Sequence, residues 1–195
     1  MKKKLLVGLA TGLFLVGMVG VASATPTNVA TTGTASQSST GTWGGIYAIA
    51  DYAIDGNTDG NFYASTVSHT LADVNPYAWW EVDLGQSFDI DAINIWNRDS
   101  YQDRLVPFTL SVLEDDRDIA WTQSVSSLTG NPLLYSLPDN IVGQFVRIQL
   151  DTRDYLQLAE VQVFSEPVPE PATMLLFGTG LAGLAGFNIR RKKKA

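Results

Sequence analysis

The chain has 195 residues, 20 acidic against 13 basic side chains, a formal charge of −7 and no cysteine. Three of the basic residues are Lys2, Lys3 and Lys4 and five are Arg190, Arg191, Lys192, Lys193 and Lys194, so residues 25–165 hold only Arg98, Arg104, Arg117, Arg147 and Arg153. This acidic body lacks the cationic footprint that nucleic acid or anionic lipid requires, and with one histidine it excludes disulfides and cysteine–histidine zinc sites, leaving neutral glycans and cations as the fitting ligands.

Residues 1–24 read as a secretory signal: the lysines, an apolar run from Leu5 to Val21, and Ala22-Ser23-Ala24 as the small-residue cleavage site. The mature chain is expected to begin at Thr25. Residues 25–165 suffice for one domain with a single core. Thr25 to Trp43 is rich in Thr, Ser, Ala and Gly, an extended entry with an edge strand near Ala35–Ser38, and Ile46–Ile54 hints at a short helix. Strand signals then dominate: Ala78–Leu84, Phe88–Asn97, Phe108–Leu113, Ala120–Val125, Leu133–Leu137, Phe145–Leu150 and Leu158–Phe164 are short apolar or alternating runs punctuated by Gly, Pro, Asn and Asp. Val146, Ile148 and Leu150 share one face of their run, as Ile93 and Ile95 do of theirs, so one face packs and the other is wet. Seven or eight such strands predict an all-β sandwich or jelly roll of two antiparallel sheets.

Three constellations carry chemistry. Asp55-Gly56-Asn57-Thr58-Asp59-Gly60-Asn61 gathers hard oxygens of the kind calcium takes; Thr66 falls where an EF-hand needs its bidentate Glu, so the residues alone read as Asx turns. His69, Arg98 and Arg104 supply directional donors suited to a hydroxyl-rich ligand such as a sugar. The two arginines lie in one loop after a strand and are expected to converge on one rim of the sandwich, with Phe62, Tyr63 and Tyr101 able to cover the apolar face of a sugar ring. Glu114-Asp115-Asp116 follows a strand and reads as a solvated hairpin turn. No carboxylate pair is placed for glycosidase chemistry and no serine-hydrolase motif occurs, so the expectation is a non-catalytic protein.

Several stretches together resemble the F-type lectins (fucolectins), of the discoidin-like coagulation-factor type C domains: Asn28-Val29-Ala30, Ala35 to Ser39, Ala53-Ile54-Asp55-Gly56-Asn57, Trp79 to Gly85, Asn97-Arg98, Asp103-Arg104-Leu105, Phe145 to Leu150 and Tyr155 to Phe164. The resemblance implies a galactose-binding-domain-like jelly roll. It implies that His69, Arg98 and Arg104 donate hydrogen bonds to L-fucose, and that Ca2+, held by Tyr52, Asp55, Asn57, Thr66 and Glu160, braces the loop carrying His69. Ser100-Tyr101 stands where the family usually has two adjacent cysteines. The alternative reading is a matrix or adhesion protein with a vestigial sugar pocket, and convergence of the two arginines with His69 discriminates the two.

At the other end, Val168-Pro169-Glu170-Pro171, the apolar stretch 172–187 and the basic cluster 190–194 resemble the PEP-CTERM sorting tail of Gram-negative bacteria. Residues 166–195 would then be a sorting tail whose apolar stretch 172–187 forms a short transmembrane helix with the basic end cytoplasmic. The resemblance implies recognition by an exosortase, transient anchoring in the inner membrane, and delivery to the cell surface or exopolysaccharide matrix.

Overall fold

The computed structural model describes residues 25–165; the signal segment and the sorting helix expected at 172–187 lie outside them. Among the described residues no helix is long and apolar enough to cross a membrane. Twelve strands follow in order: β1 Thr27–Asn28, β2 Thr34–Gln37, β3 Thr42–Trp43, β4 Ile46–Tyr47, β5 Ser68–His69 and β6 Trp79–Asp89. After them come β7 Ala92–Asn97, β8 Phe108–Leu113, β9 Ile119–Val125, β10 Leu133–Ser136, β11 Val142–Leu150 and β12 Gln157–Ser165.

Two antiparallel five-stranded sheets form the sandwich. One has the order β1-β12-β7-β10, with β5 also paired to β12, and the other β2-β6-β11-β8-β9. The alternation read from the sequence sets the facing: Ile93 and Ile95 on β7, Val146, Ile148 and Leu150 on β11, and Val161 and Val163 on β12 are buried between the sheets. Trp80 and Phe108 fill the middle of this layer and are fully buried. The Trp80 indole Nε1–H donates to the Ala50 carbonyl at 3.0 Å, so the core also ties down the segment that leads to the loops. Among the described residues the core residues run from Val29 to Val163.

The structure differs from the sequence expectation in three places. The break expected between Leu84 and Phe88 lies within β6, whose pairing with β11 jumps from Asp83↔Phe145 to Phe88↔Gly143. Gly85, at φ +81, carries that excursion while the strand continues beyond it. The helix expected across Ile46–Ile54 is only a 3-10 turn at Ala50–Ala53, because β4 takes Ile46–Tyr47 into a small hairpin with β3. His69, set in a polar stretch, is in a short strand because β12 offers it a free edge. The Glu114–Asp118 segment is the exposed β8–β9 hairpin turn, with Glu114 N–H donating to Asp118 O at 2.9 Å.

Antiparallel pairing of β7 with β12 fixes where loops gather. Leu158, near the start of β12, lies opposite Asn97, the last residue of β7, while Gln157 lies opposite His69. Arg98, Tyr155, Gln157 and His69 therefore meet at one end of this sheet.

Candidate sugar-binding site

A concavity of about 250 Å3 opens at that end, lined by Trp43, Phe62, Tyr63, His69, Arg98, Tyr101, Arg104 and Tyr155. Drug-sized sites run to about 300–1,000 Å3, so this space suits one sugar ring. The arginine loop is set from β7. Asn97 Oδ1 accepts the Arg98 N–H at 2.8 Å and its Nδ2 donates to Gln102 O at 2.9 Å, while buried Leu105 anchors the far end of the 3-10 turn Gln102–Leu105. Tyr101 precedes that turn in the left-handed region at φ 59, and Arg104 N–H bonds back to its carbonyl at 3.2 Å.

Tyr101 stands between the two guanidiniums. Its ring centroid is 5.2 Å from the Arg98 guanidinium carbon and 4.3 Å from that of Arg104. Arg98 is also 4.6 Å over Phe62, and Arg104 is 5.0 Å over Tyr155. Arg98 is 7% exposed and forms no ion pair among the described residues. Its Nη1 donates to Gln157 Oε1 at 3.3 Å, and its Nε is buried without a partner. Burial foremost, then the charge of Arg104, pull its pKa below the usual arginine value against the opposing influence of the Tyr63 phenol. Arg104 has only a long contact to Asp154, 3.8 Å between half-exposed groups. Both guanidiniums thus line the concavity, with no carboxylate neutralising Arg98 among the described residues.

His69 is 3% exposed, and its ring centroid lies 3.8 Å from Trp43, with Phe62 and Tyr155 each at 5.5 Å. Both nitrogens are engaged, Nδ1 with Thr70 O at 2.7 Å and Nε2 with Gln157 Nε2 at 2.9 Å. Since Gln157 Oε1 takes the Arg98 proton donor, its amide N–H must donate to Nε2, which assigns the proton to Nδ1. The result is one polar chain, Arg98 to Gln157 to His69 to Thr70. The β5–β12 register puts the Gln157 amide on the outer nitrogen of His69. Burial lowers the imidazole pKa to about 4, against the hydrogen bond to Thr70, with Arg98 and Arg104 adding to the lowering.

The Asp55–Asn61 segment is a staircase of Asx turns. Asp55, Asn57, Asp59 and Asn61 each accept, through Oδ1, the N–H two residues on, at 2.8, 3.0, 3.0 and 3.2 Å. The staircase delivers Phe62 and Tyr63 to the pocket; Tyr63 is largely exposed at the rim. Thr66 Oγ1 closes the segment by donating to Asp59 O at 2.7 Å and Asn61 O at 3.0 Å. Tyr52 sits in the preceding 3-10 turn. Glu160, at 0% exposure, reaches this segment from β12: Oε2 accepts the Gly56 N–H at 3.3 Å and Oε1 is buried with no partner. Burial, and the nearby Asp55 charge, push its carboxyl up to about 8. No group of three or more His, Cys, Asp or Glu gathers among the described residues. Of the five expected calcium ligands, Asp55 and Glu160 are brought together, while Asn57 and Thr66 bond within the loop.

The staircase abuts the arginine loop. Asp99 N–H donates to Gly60 O at 3.0 Å, and a Cβ on Gly60 would lie 2.7 Å from the Asp99 amide nitrogen, so only glycine permits this contact. Trp43, Tyr155 and Gln157 were not singled out from the sequence. Their signal was present only as large aromatic or amide residues at the ends of strand runs, and partner register alone turns these inward.

Residues 52–148 match the F5/F8 type C family described as NedA-like, galactose-binding domain, and residues 167–192 match the PEP-CTERM protein-sorting motif. Fucolectin-1 of Anguilla japonica is 34% identical over 143 residues, which cover 70% of this chain and 79% of that protein. A fucose binding module of Streptococcus pneumoniae superposes with a TM-score of 0.66 at 31% identity, covering 72% of this chain and 96% of the module. The lectin domain of lectinolysin complexed with Lewis B antigen superposes with a TM-score of 0.65 at 31% identity, covering 72% of this chain and 98% of that domain.

Proposed function

The chain belongs to the fucolectin family of F5/F8 type C galactose-binding-like domains and carries a PEP-CTERM sorting motif, and on that premise we propose that residues 25–165 are a non-catalytic lectin domain for fucose-type glycans. The observation that carries the reading is the convergence of Arg98 and Arg104 on one aromatic-lined concavity with His69. Unpaired guanidinium donors suit the hydroxyl and ring oxygens of a sugar, and Trp43, Phe62, Tyr63 and Tyr101 suit its apolar face and methyl group. His69 contributes as a neutral, packed ring that fixes Gln157 and through it Arg98. The same convergence disfavours a vestigial pocket. The relatives, as lectins and carbohydrate-binding modules, support a binding role without catalysis.

Calcium fits the Asp55–Glu160 junction: a buried carboxylate oxygen without a partner, beside a second carboxylate and a loop of amide, hydroxyl and carbonyl oxygens, is the donor chemistry a hard cation takes. Tyr52, Asp55, Asn57, Thr66 and Glu160 would hold it, and it would brace the staircase that bears Phe62 and Tyr63 and meets Asp99. The sorting motif supports export, exosortase processing with transient membrane anchoring, and display at the surface or in the exopolysaccharide matrix of a Gram-negative cell.

A glycan array followed by calorimetry on residues 25–165, with calcium and with chelator, tests the proposal. The expected result is saturable binding of fucosylated glycans that weakens on chelation. A folded domain that binds no glycan would overturn it.

A further inference from the structure

A second concavity, of about 390 Å3, is lined by Ser38, Ala72, Asp73, Val74, Asn75, Pro76 and Trp79. It shares no lining residue with the first pocket, and we propose that it is a separate binding subsite for an uncharged hexopyranose unit. Asp73 is built into its wall: Ser38 Oγ and Ser39 Oγ each donate to Oδ2 at 2.6 Å. The serines are themselves held, Ser38 Oγ accepting the Trp79 N–H at 3.2 Å and Ser39 Oγ the Leu71 N–H at 2.9 Å. With both bonds on Oδ2, Oδ1 has no protein partner among the described residues and is left as a fixed acceptor.

Trp79 supplies the complementary surface. The Arg147 guanidinium lies 4.2 Å over its ring and occupies one face, while the residue borders the cavity and its indole Nε1–H has no acceptor among the described residues. The loop between Asp73 and Trp79 is pinned by a β-bridge from Val74 to Tyr77 and by Arg153 Nε donating to Ala72 O at 3.4 Å. A charge-bearing acceptor, an aromatic ring with a free N–H, and an exposed amide at Asn75 together suit a sugar, whose vicinal hydroxyls bond the carboxylate while its C–H face packs on the indole. Among the described residues the one charged side chain lining the cavity is Asp73, with Arg147 and Arg153 behind Trp79 and Ala72, which suits a neutral sugar better than an acidic one.

The two sites flank the same chain segments. Trp43 and His69 border the first, Ser38 and Asp73 to Trp79 the second, and the 151–156 loop touches both through Tyr155 and Arg153. A glycan with a fucose branch can therefore engage this rim twice, or each site can act alone.

The test reads the indole N–H resonances of residues 25–165, which hold both sheets and the core packed between them, assigned with Trp43→Phe and Trp79→Phe. Trp43 reports the first pocket and Trp79 the second. Titration with the methyl glycosides of glucose, galactose and mannose is expected to move Trp79 saturably with at least one of them. Asp73→Ala should weaken that response at least about tenfold, with Asp73→Asn between, while methyl fucoside still moves Trp43 in both variants. Trp79 unmoved by all three hexosides, or a response unaltered in Asp73→Ala, overturns the proposal. A silent Trp43 beside a responsive Trp79 would remove the fucose reading and leave the second site standing.

Discussion

Arg104 offers the cleanest separation of binding from folding. Its only ionic contact among the described residues is the 3.8 Å approach to Asp154, and exposed pairs of that kind contribute little. Arg104→Ala should leave the melting temperature within about 2 °C, yet weaken fucoside binding by roughly 10- to 100-fold, because charge-assisted bonds contribute about 1.5–3 kcal/mol. Calorimetry against a thermal melt checks both parts. His69, with its pKa lowered to about 4, takes up its proton more readily in the unfolded chain than in the folded one. Its contribution to stability is therefore present above about pH 6.5 and lost as pH falls through about 4. An NMR titration should find the imidazole neutral down to about pH 5, and fucoside affinity should not change across pH 5–8 on its account. A midpoint near the ordinary histidine value would remove the buried Gln157–His69–Thr70 chain. Gly60→Ala should displace Asp99 and with it Arg98, lowering affinity although residue 60 touches no ligand; unchanged affinity would mean that the two loops move independently.

At the scale of elements, the Asx staircase and β12 are joined through Glu160 rather than by strand pairing. A carboxyl whose pKa is pushed up to about 8 by burial, and then by the Asp55 charge, is poised to give up its proton to a hard cation. Calcium is therefore expected to raise the melting temperature, chelator to reverse this, and Glu160→Gln to abolish the response. Calorimetry at pH 7 should also register proton release on calcium binding in two buffers of different ionisation enthalpy. A melting temperature indifferent to calcium would remove the metal and leave Glu160 as a buried acid. The β7–β12 pairing is the other decisive element. By bringing the end of one strand beside the start of the other, it turns residues almost sixty positions apart, Arg98 and Gln157, into hydrogen-bond partners.

For the whole molecule, the sandwich core carries stability and the loops carry the proposed sugar site. Trp80, fully buried and bonded to Ala50 O, spans both: truncation to Ala should cost about 3–5 kcal/mol in denaturant unfolding and disturb the loop entry together with the core. A smaller loss would indicate that the sheets can close over the gap. On the acidic surface the cations of the rim are the two pocket arginines and Arg153, while Arg117 and Arg147 pair with Glu81 at 3.1 and 3.4 Å. Surface display through the sorting motif would place many such domains together, where weak single sites gain avidity.

Much of this was legible in the linear sequence. Period-two alternation specified β8, β9, β10 and β12 to within a residue, because a strand with one buried face must write that face into every second position, whereas the run Phe88–Asn97 is divided between the end of β6 and β7, and β11 begins three residues early, at Val142. The Asp/Asn spacing of two specified the Asx turns, since each side chain bonds the amide two residues on, and the basic tail with its Pro-Glu-Pro needed no fold to be read. What the sequence could not disclose is what depends on partners distant in the chain. The edge that makes His69 a strand residue, the register that sets Gln157 on its outer nitrogen, the burial that leaves Arg98 and Glu160 each with an orphaned atom, and the cavity beside Trp79 all arise from segments meeting across the sandwich. Local chemistry is encoded where it is written, whereas desolvation and hydrogen-bond polarity are properties of the neighbours, and only the tertiary structure supplies those.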